Sequence, residues 1–171
     1  MSAHLTLVIG GARSGKSGYG ESLITRLPPP WIYVATAQAL DAEMAERIAA
    51  HRARRGSGWT TVEAPRDLAG ALPAHASAPI LIDCLTLWLS NLMLADADIG
   101  AETERLARAL RDRAAPVVMI ANEVGFGIVP ENVLARRFRD QQGLLNQSIA
   151  ALADRVVLML AGLPLSVKGG P

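Results

Sequence analysis

The sequence holds a single cysteine, Cys84, so no intrachain disulfide can form and nothing speaks for an oxidising compartment. That thiol follows the apolar run Ile80-Leu81-Ile82-Asp83 and reads as a buried, inert group. Net charge is only +1, too little for the broad basic footprint that binds nucleic acid or an anionic membrane, and no nucleic-acid partner is expected. No basic segment followed by a signal-like apolar core opens the chain, because Leu5 to Ile9 runs straight into glycines. The longest apolar stretches, Ile80 to Ala95 and Val156 to Val167, contain Asp83 or are broken by Gly162 and Pro164, so neither reads as a membrane span. Internal repeats, low-complexity tracts and linkers are lacking as well. A soluble, cytoplasmic protein is the expectation.

What is present fits one globular domain over residues 1–171, with 50% of residues hydrophobic and 19% charged. The stretch Gly10-Gly11-Ala12-Arg13-Ser14-Gly15-Lys16-Ser17 follows the β-prone run Leu5-Thr6-Leu7-Val8-Ile9 and precedes a helix from Lys16 to Leu27, which Pro28-Pro29-Pro30 stops. Strand, glycine loop and helix in that order are the setting of a phosphate-binding loop. Glycines let backbone N–H groups converge on a polyphosphate, and the helix N-terminus adds partial positive charge. Lys16 would reach the β- and γ-phosphates, and the Ser17 hydroxyl would hold a bridging Mg²⁺.

Further strands are expected at Trp31 to Ala35, Trp59 to Glu63, Pro79 to Asp83, Pro116 to Ala121, Arg155 to Leu160 and Leu165 to Val167. Helices are expected at Asp41 to Arg55, Arg66 to Leu72, Leu85 to Leu94, Ala101 to Ala114 and Pro130 to Ala153, the last with Gly143 as a candidate bend. Leu85 to Leu94 is apolar nearly all round, as for a helix buried against the sheet or a neighbouring subunit. Alternating strands and helices imply an α/β fold, a mostly parallel sheet with helices on both faces. Gly162-Leu163-Pro164 would turn a terminal hairpin that adds an antiparallel edge.

Carboxyl ends of strands line the ligand crevice in such sheets, which places Ala35-Thr36-Ala37 near the loop. Asp83 ends a buried strand, either as a carboxylate for Mg²⁺ or as a cap for the next helix, and the upstream glycine loop favours the metal. Asn122-Glu123 ends another, either for Mg²⁺ water or the acceptor hydroxyl, or as a turn pair.

In the Asp41 to Arg55 helix, Met44, Ile48 and His51 share one side, with Arg47, Arg54 and Arg55 within a turn of the histidine. Those charges would disfavour the imidazolium and leave a nucleophilic lone pair, as a covalent His–NMP intermediate requires. A solvated basic face with an incidental histidine remains the other reading of this pattern.

The segments GGARSGKS, VATAQALDAEMAERIAAHRARR, ILIDCLTLWLSNLM, NEVGFGIVPENVLARRFRDQQGLLNQSIAALAD and GLPLSVK together resemble the bifunctional adenosylcobinamide kinase / adenosylcobinamide-phosphate guanylyltransferase family over about residues 5–168. The resemblance implies a RecA-like P-loop NTPase fold and a homotrimer. It implies phosphorylation of adenosylcobinamide by ATP or GTP, then transfer of GMP from GTP to adenosylcobinamide phosphate. His51 matches the guanylylated histidine of the transfer step, and Lys16 is the catalytic residue expected for the kinase step. Guanine-nucleotide contacts carry over to Gly10 through Ser17, Ala35, Thr36, Ala37, Arg52, Ala53, Arg54, Arg55, Glu63 and Asp83, with Ser17 and Asp83 as Mg²⁺ ligands. The alternative is a P-loop small-molecule kinase without nucleotidyl transfer. No N-K-x-D segment of a GTPase switch is present, Asn122-Glu123-Val124-Gly125 not being one.

Overall fold

A computed structural model describes residues 4–39 and 41–170, and all side chains within them except those of Arg47 and Arg54. In chain order the elements are β1 (Leu5–Gly10), α1 (Lys16–Ile24), β2 (Trp31–Ala35), α2 (Ala42–Arg54), β3 (Trp59–Glu63), α3 (Leu68–Ala71), β4 (Ile80–Asp83), α4 (Leu85–Leu94), α5 (Ile99–Arg111), β5 (Val117–Asn122), α6 (Val133–Leu152), β6 (Arg155–Leu160) and β7 (Leu163–Lys168). They form a seven-stranded sheet in the order β3-β2-β4-β5-β1-β6-β7. All neighbours are parallel except β6 and β7. The expected α/β architecture with an antiparallel edge is therefore what the chain adopts.

Successive strand residues point to opposite faces, so an unbroken apolar strand needs cover on both. Leu7, Ile32, Val34, Ile80, Ile82, Val117 and Met119 enter a large core with Leu68 of α3, Trp88 and Leu89 of α4, Leu106 and Leu110 of α5, and Leu145 and Ile149 of α6. Their neighbours Val8, Tyr33, Leu81, Val118, Ile120 and Val157 face the other way, onto Ile24 of α1. Gly20 lets α1 lie close to this second face, since a Cβ there would sit 2.7 Å from Ile120 Cδ1. Both faces are covered, though unequally.

α4 buries Leu85, Trp88, Leu89 and Leu92 against its own sheet, while Leu94 at its end is 72% exposed. Among the described residues, no helix is long and apolar enough to cross a membrane.

Capping chemistry moved several boundaries. Asp98 and Asn132 accept hydrogen bonds from Ala101 N and Ala135 N, so α5 starts before Ala101 and α6 starts after Pro130. α5 ends at Arg111 because Arg113 turns inward to donate to the Leu72, His75 and Ala78 carbonyls. α1 ends at Ile24, short of Leu27, in a tighter turn closed by Leu27 N on Ile24 O ahead of the prolines. α6 runs unbroken through Gly143. The last hairpin turns at Ala161 and Gly162, whose φ values of 51° and 83° suit a tight two-residue loop. Leu163 and Pro164 therefore lie in β7, an edge strand that tolerates proline.

Candidate active site

Sheet register brings the site together. Ala35 pairs with Glu63 of β3 on one side and with Asp83 of β4 on the other, so three strand ends stand in one row. Beside them Gly10 pairs with Asn122 of β5, at the point where β1 hands over to the glycine loop. A cavity of about 800 Å³ opens over this row, walled by the loop on one side and α2 on the other.

The loop is shaped by left-handed backbone. Gly10 has φ 156°, and a Cβ there would stand 2.5 Å from the Met159 carbonyl of β6. Gly15, at φ 91°, forms the N-cap of α1. Lys16 is 7% exposed, donates to Gly11 O at 2.6 Å, and has its pKa lowered by burial, with the charges of Cys84 and Asp83 pulling the other way. Ser14 Oγ is buried without a hydrogen-bond partner among the described residues, on a wall suited to a phosphate oxygen.

Behind the row, β2 and β4 are pinned together. Thr36 Oγ1 donates to Cys84 O at 2.7 Å and accepts from Cys84 N at 2.8 Å. Asn91 of α4 donates to both the Thr36 and Pro65 carbonyls at 2.8 Å. These bonds set Asp83 at the cavity floor, where its Oδ2 accepts from the Tyr33 hydroxyl at 3.1 Å. Burial and the adjacent carboxylate raise the Tyr33 pKa above its ordinary range. Burial, then the Asp83 charge, pushes the Cys84 thiol up to about 12.

α2 starts at Asp41, whose side chain accepts from Met44 N at 2.7 Å. Its stripe of Met44, Ile48 and His51 faces the cavity and enters neither core. The imidazole does not sit in a ring of arginines alone. Its Nδ1 is 3.8 Å from Asp83 Oδ2, because α2 lies over the β2–β4 strand ends. Arg55 stacks on the Tyr33 ring at 3.5 Å, and Arg52 pairs with Glu63 at 3.9 Å. The side chains of Arg47 and Arg54 lie outside the described residues.

Of the residues singled out in the sequence, Ala12 to Ser17, Ala35, Ala37, His51, Arg52, Arg55, Glu63, Asp83 and Asn122 line the cavity. Gly10, Gly11, Thr36 and Ala53 do not; Gly10 shapes the loop from behind, and Thr36 is buried as the β2–β4 pin. Glu123 turns away to accept from Gly125 N. Sequence reasoning missed Tyr33, Gln38, Thr61 and Leu87 on the wall. The signal for Tyr33 and Thr61 was the two-residue period, which puts them on the same sheet face as Ala35 and Glu63. Among the described residues, no cluster of three or more His, Cys, Asp and Glu side chains could hold a metal.

The arrangement brings a glycine loop, a carboxylate at a strand end and a histidine around one space. Residues 6–167 match the sequence family described as cobinamide kinase / cobinamide phosphate guanyltransferase. The bifunctional adenosylcobalamin biosynthesis protein CobP of Pseudomonas aeruginosa is 46% identical over 169 residues, covering 96% of this chain and 98% of that protein. Its counterpart CobU of Salmonella typhimurium is 41% identical over 181 residues, covering 96% and 99%. Among solved structures, a prototypical ATPase from the type III secretion system of pathogenic bacteria shares the fold, with a TM-score of 0.56 at 11% identity. That match covers 95% of this chain and 56% of the ATPase. Match length and identity lead to one conclusion: the chain belongs to the cobinamide kinase / cobinamide phosphate guanyltransferase family.

Proposed function

We infer that the protein phosphorylates the aminopropanol hydroxyl of adenosylcobinamide with ATP or GTP, then transfers GMP from GTP to that phosphate, giving adenosylcobinamide-GDP and pyrophosphate. The observation that carries this reading is that His51 and the loop residues Lys16 and Ser17 line one cavity. A kinase without nucleotidyl transfer needs no histidine there. Family membership points the same way.

In the first step the loop N–H groups and Lys16 hold the triphosphate while the acceptor oxygen bonds to the γ-phosphorus and the nucleoside diphosphate leaves. In the second, His51 bonds to the α-phosphorus of GTP as pyrophosphate departs, and a substrate phosphate oxygen then displaces the histidine. Arg52 and Arg55 stand on the cavity wall, where they balance charge on the phosphates. Ser17 and Asp83 supply a hydroxyl and a carboxylate to the same cavity, a hard oxygen pair that fits Mg²⁺. Both described contacts of Asp83 fall on Oδ2, which leaves Oδ1 for the ion. Bound Mg²⁺ would neutralise charge on the phosphoryl oxygens.

The chain acts as one catalytic domain across residues 1–171, and its working unit is a cytoplasmic homotrimer. Support for a subunit interface comes from exposed apolar side chains, Phe126 at 85% and Ile128 at 97% among them. Sedimentation of the purified protein tests the trimer.

The function is tested by incubating protein with Mg²⁺ and GTP labelled at the α-phosphate, without acceptor, then denaturing it. Label that is acid-labile, alkali-stable and absent from His51→Ala is the expected result. An unlabelled chain that still phosphorylates adenosylcobinamide would leave only the kinase.

A further inference from the structure

Three side chains from three elements meet at one carboxylate oxygen. Asp83 Oδ2, at the end of β4, accepts from the Tyr33 hydroxyl of β2 at 3.1 Å and lies 3.8 Å from Nδ1 of His51 on α2. Tyr33 is itself immobilised. It is 6% exposed, carries the Arg55 guanidinium 3.5 Å above its ring, and meets Trp59 edge-on at 6.3 Å. The Asp83 side chain is 11% exposed. A fixed phenol therefore holds a mostly buried carboxylate on the Nδ1 side of the histidine.

We propose that Asp83, tethered by Tyr33, is a positioning residue that keeps the proton of His51 on Nδ1 and presents Nε2 to the α-phosphorus, so that GMP is carried on Nε2. This rests on the guanylyltransferase reading above. A neutral imidazole has one N–H and one lone pair, and the partner of the N–H decides which nitrogen keeps the pair. A shift of roughly 1 Å brings the Nδ1–carboxylate pair into hydrogen-bond range. The Nε2 lone pair then forms the bond to phosphorus, and the Pα–O bond breaks with its electrons leaving on pyrophosphate. The Nδ1 proton stays in place, and the positive charge of the substituted ring faces the Asp83 carboxylate. On return a substrate phosphate oxygen bonds to phosphorus, and the Nε2–P electron pair goes back to the ring.

Protein labelled with ¹⁵N at histidine tests this directly. Nitrogen shifts of His51, assigned against His51→Gln, are recorded in metal-free buffer with the ring neutral, and again after reaction with Mg²⁺ and GTP. The expected result is an Nδ1–H tautomer before reaction and phosphorus coupled to Nε2 after it. Tyr33→Phe should show a mixed tautomer and guanylylate His51 about tenfold more slowly, the scale of one lost hydrogen bond. An adduct through Nδ1, or a Tyr33→Phe protein with unchanged tautomer and rate, overturns this inference and leaves the proposed function standing. A wild-type chain that takes no GMP on His51 overturns both.

Discussion

Thr36 Oγ1 bonds both polar groups of the Cys84 backbone, donating to the carbonyl at 2.7 Å and accepting from the amide at 2.8 Å. One buried hydroxyl thus pins the strand end carrying Ala35 to the one carrying Asp83. Replacing it with an isosteric methyl leaves the Cys84 N–H unmatched, while the Cys84 carbonyl keeps only its bond from Trp88 N at 3.2 Å. Thr36→Val should lower unfolding stability by about 1–3 kcal/mol, read from denaturant midpoints. A midpoint equal to that of the wild type would remove Thr36 from this role.

Gly10 is where the glycine loop touches β6. Its φ of 156° and the Met159 carbonyl 2.5 Å from a would-be Cβ leave no room for a side chain. Gly10→Ala should cost about 1–3 kcal/mol and weaken nucleotide binding. Calorimetric titration with GTP checks the second point, and unchanged affinity contradicts it.

Alkaline pH reads out Cys84. Its thiol is pushed up to about 12 from 9.0, so between those values the folded chain keeps a proton that the unfolded chain gives up. The resulting stabilisation is complete below pH 9 and fades as pH rises toward 12. Lys16 opposes it, because its lowered pKa makes stability rise with pH on the approach to 10.5. Comparing wild type with Cys84→Ala isolates the thiol. The stability difference between them should move steadily against the wild type as pH is raised from about 8 to about 10.5. A pH-independent difference would contradict the buried-thiol account.

Lys16 is nearly buried where the glycine loop meets α1, on the wall of the cavity. Lys16→Ala should abolish the kinase step, measured as transfer of label from the γ-phosphate of ATP to adenosylcobinamide. Phosphorylation that persists would sink the role.

The sheet was legible because β1, β4 and β5 are continuous apolar runs, a pattern that burial on both faces demands. The loop was legible from its glycine spacing between strand and helix. Less visible were groups whose role comes from contact across the sheet. Thr36 looked like a wall residue but is a pin, since sequence does not show which strand end lies beside it. The Met44–Ile48 stripe has the spacing of a core-facing helix, yet it lines the cavity, because α2 lies over strand ends and not over the body of the sheet. The carboxylate beside His51 was hidden for the same reason: neighbours three or four residues away on one helix can be counted, but Asp83 arrives from β4.

If one cavity performs two separable chemistries, His51→Asn should part them. With adenosylcobinamide, ATP, GTP and Mg²⁺ supplied together, this variant should accumulate adenosylcobinamide phosphate and form no adenosylcobinamide-GDP, while the wild type makes the final product. Formation of adenosylcobinamide-GDP by His51→Asn at the wild-type rate would contradict the covalent route and return His51 to an incidental residue on a basic helix.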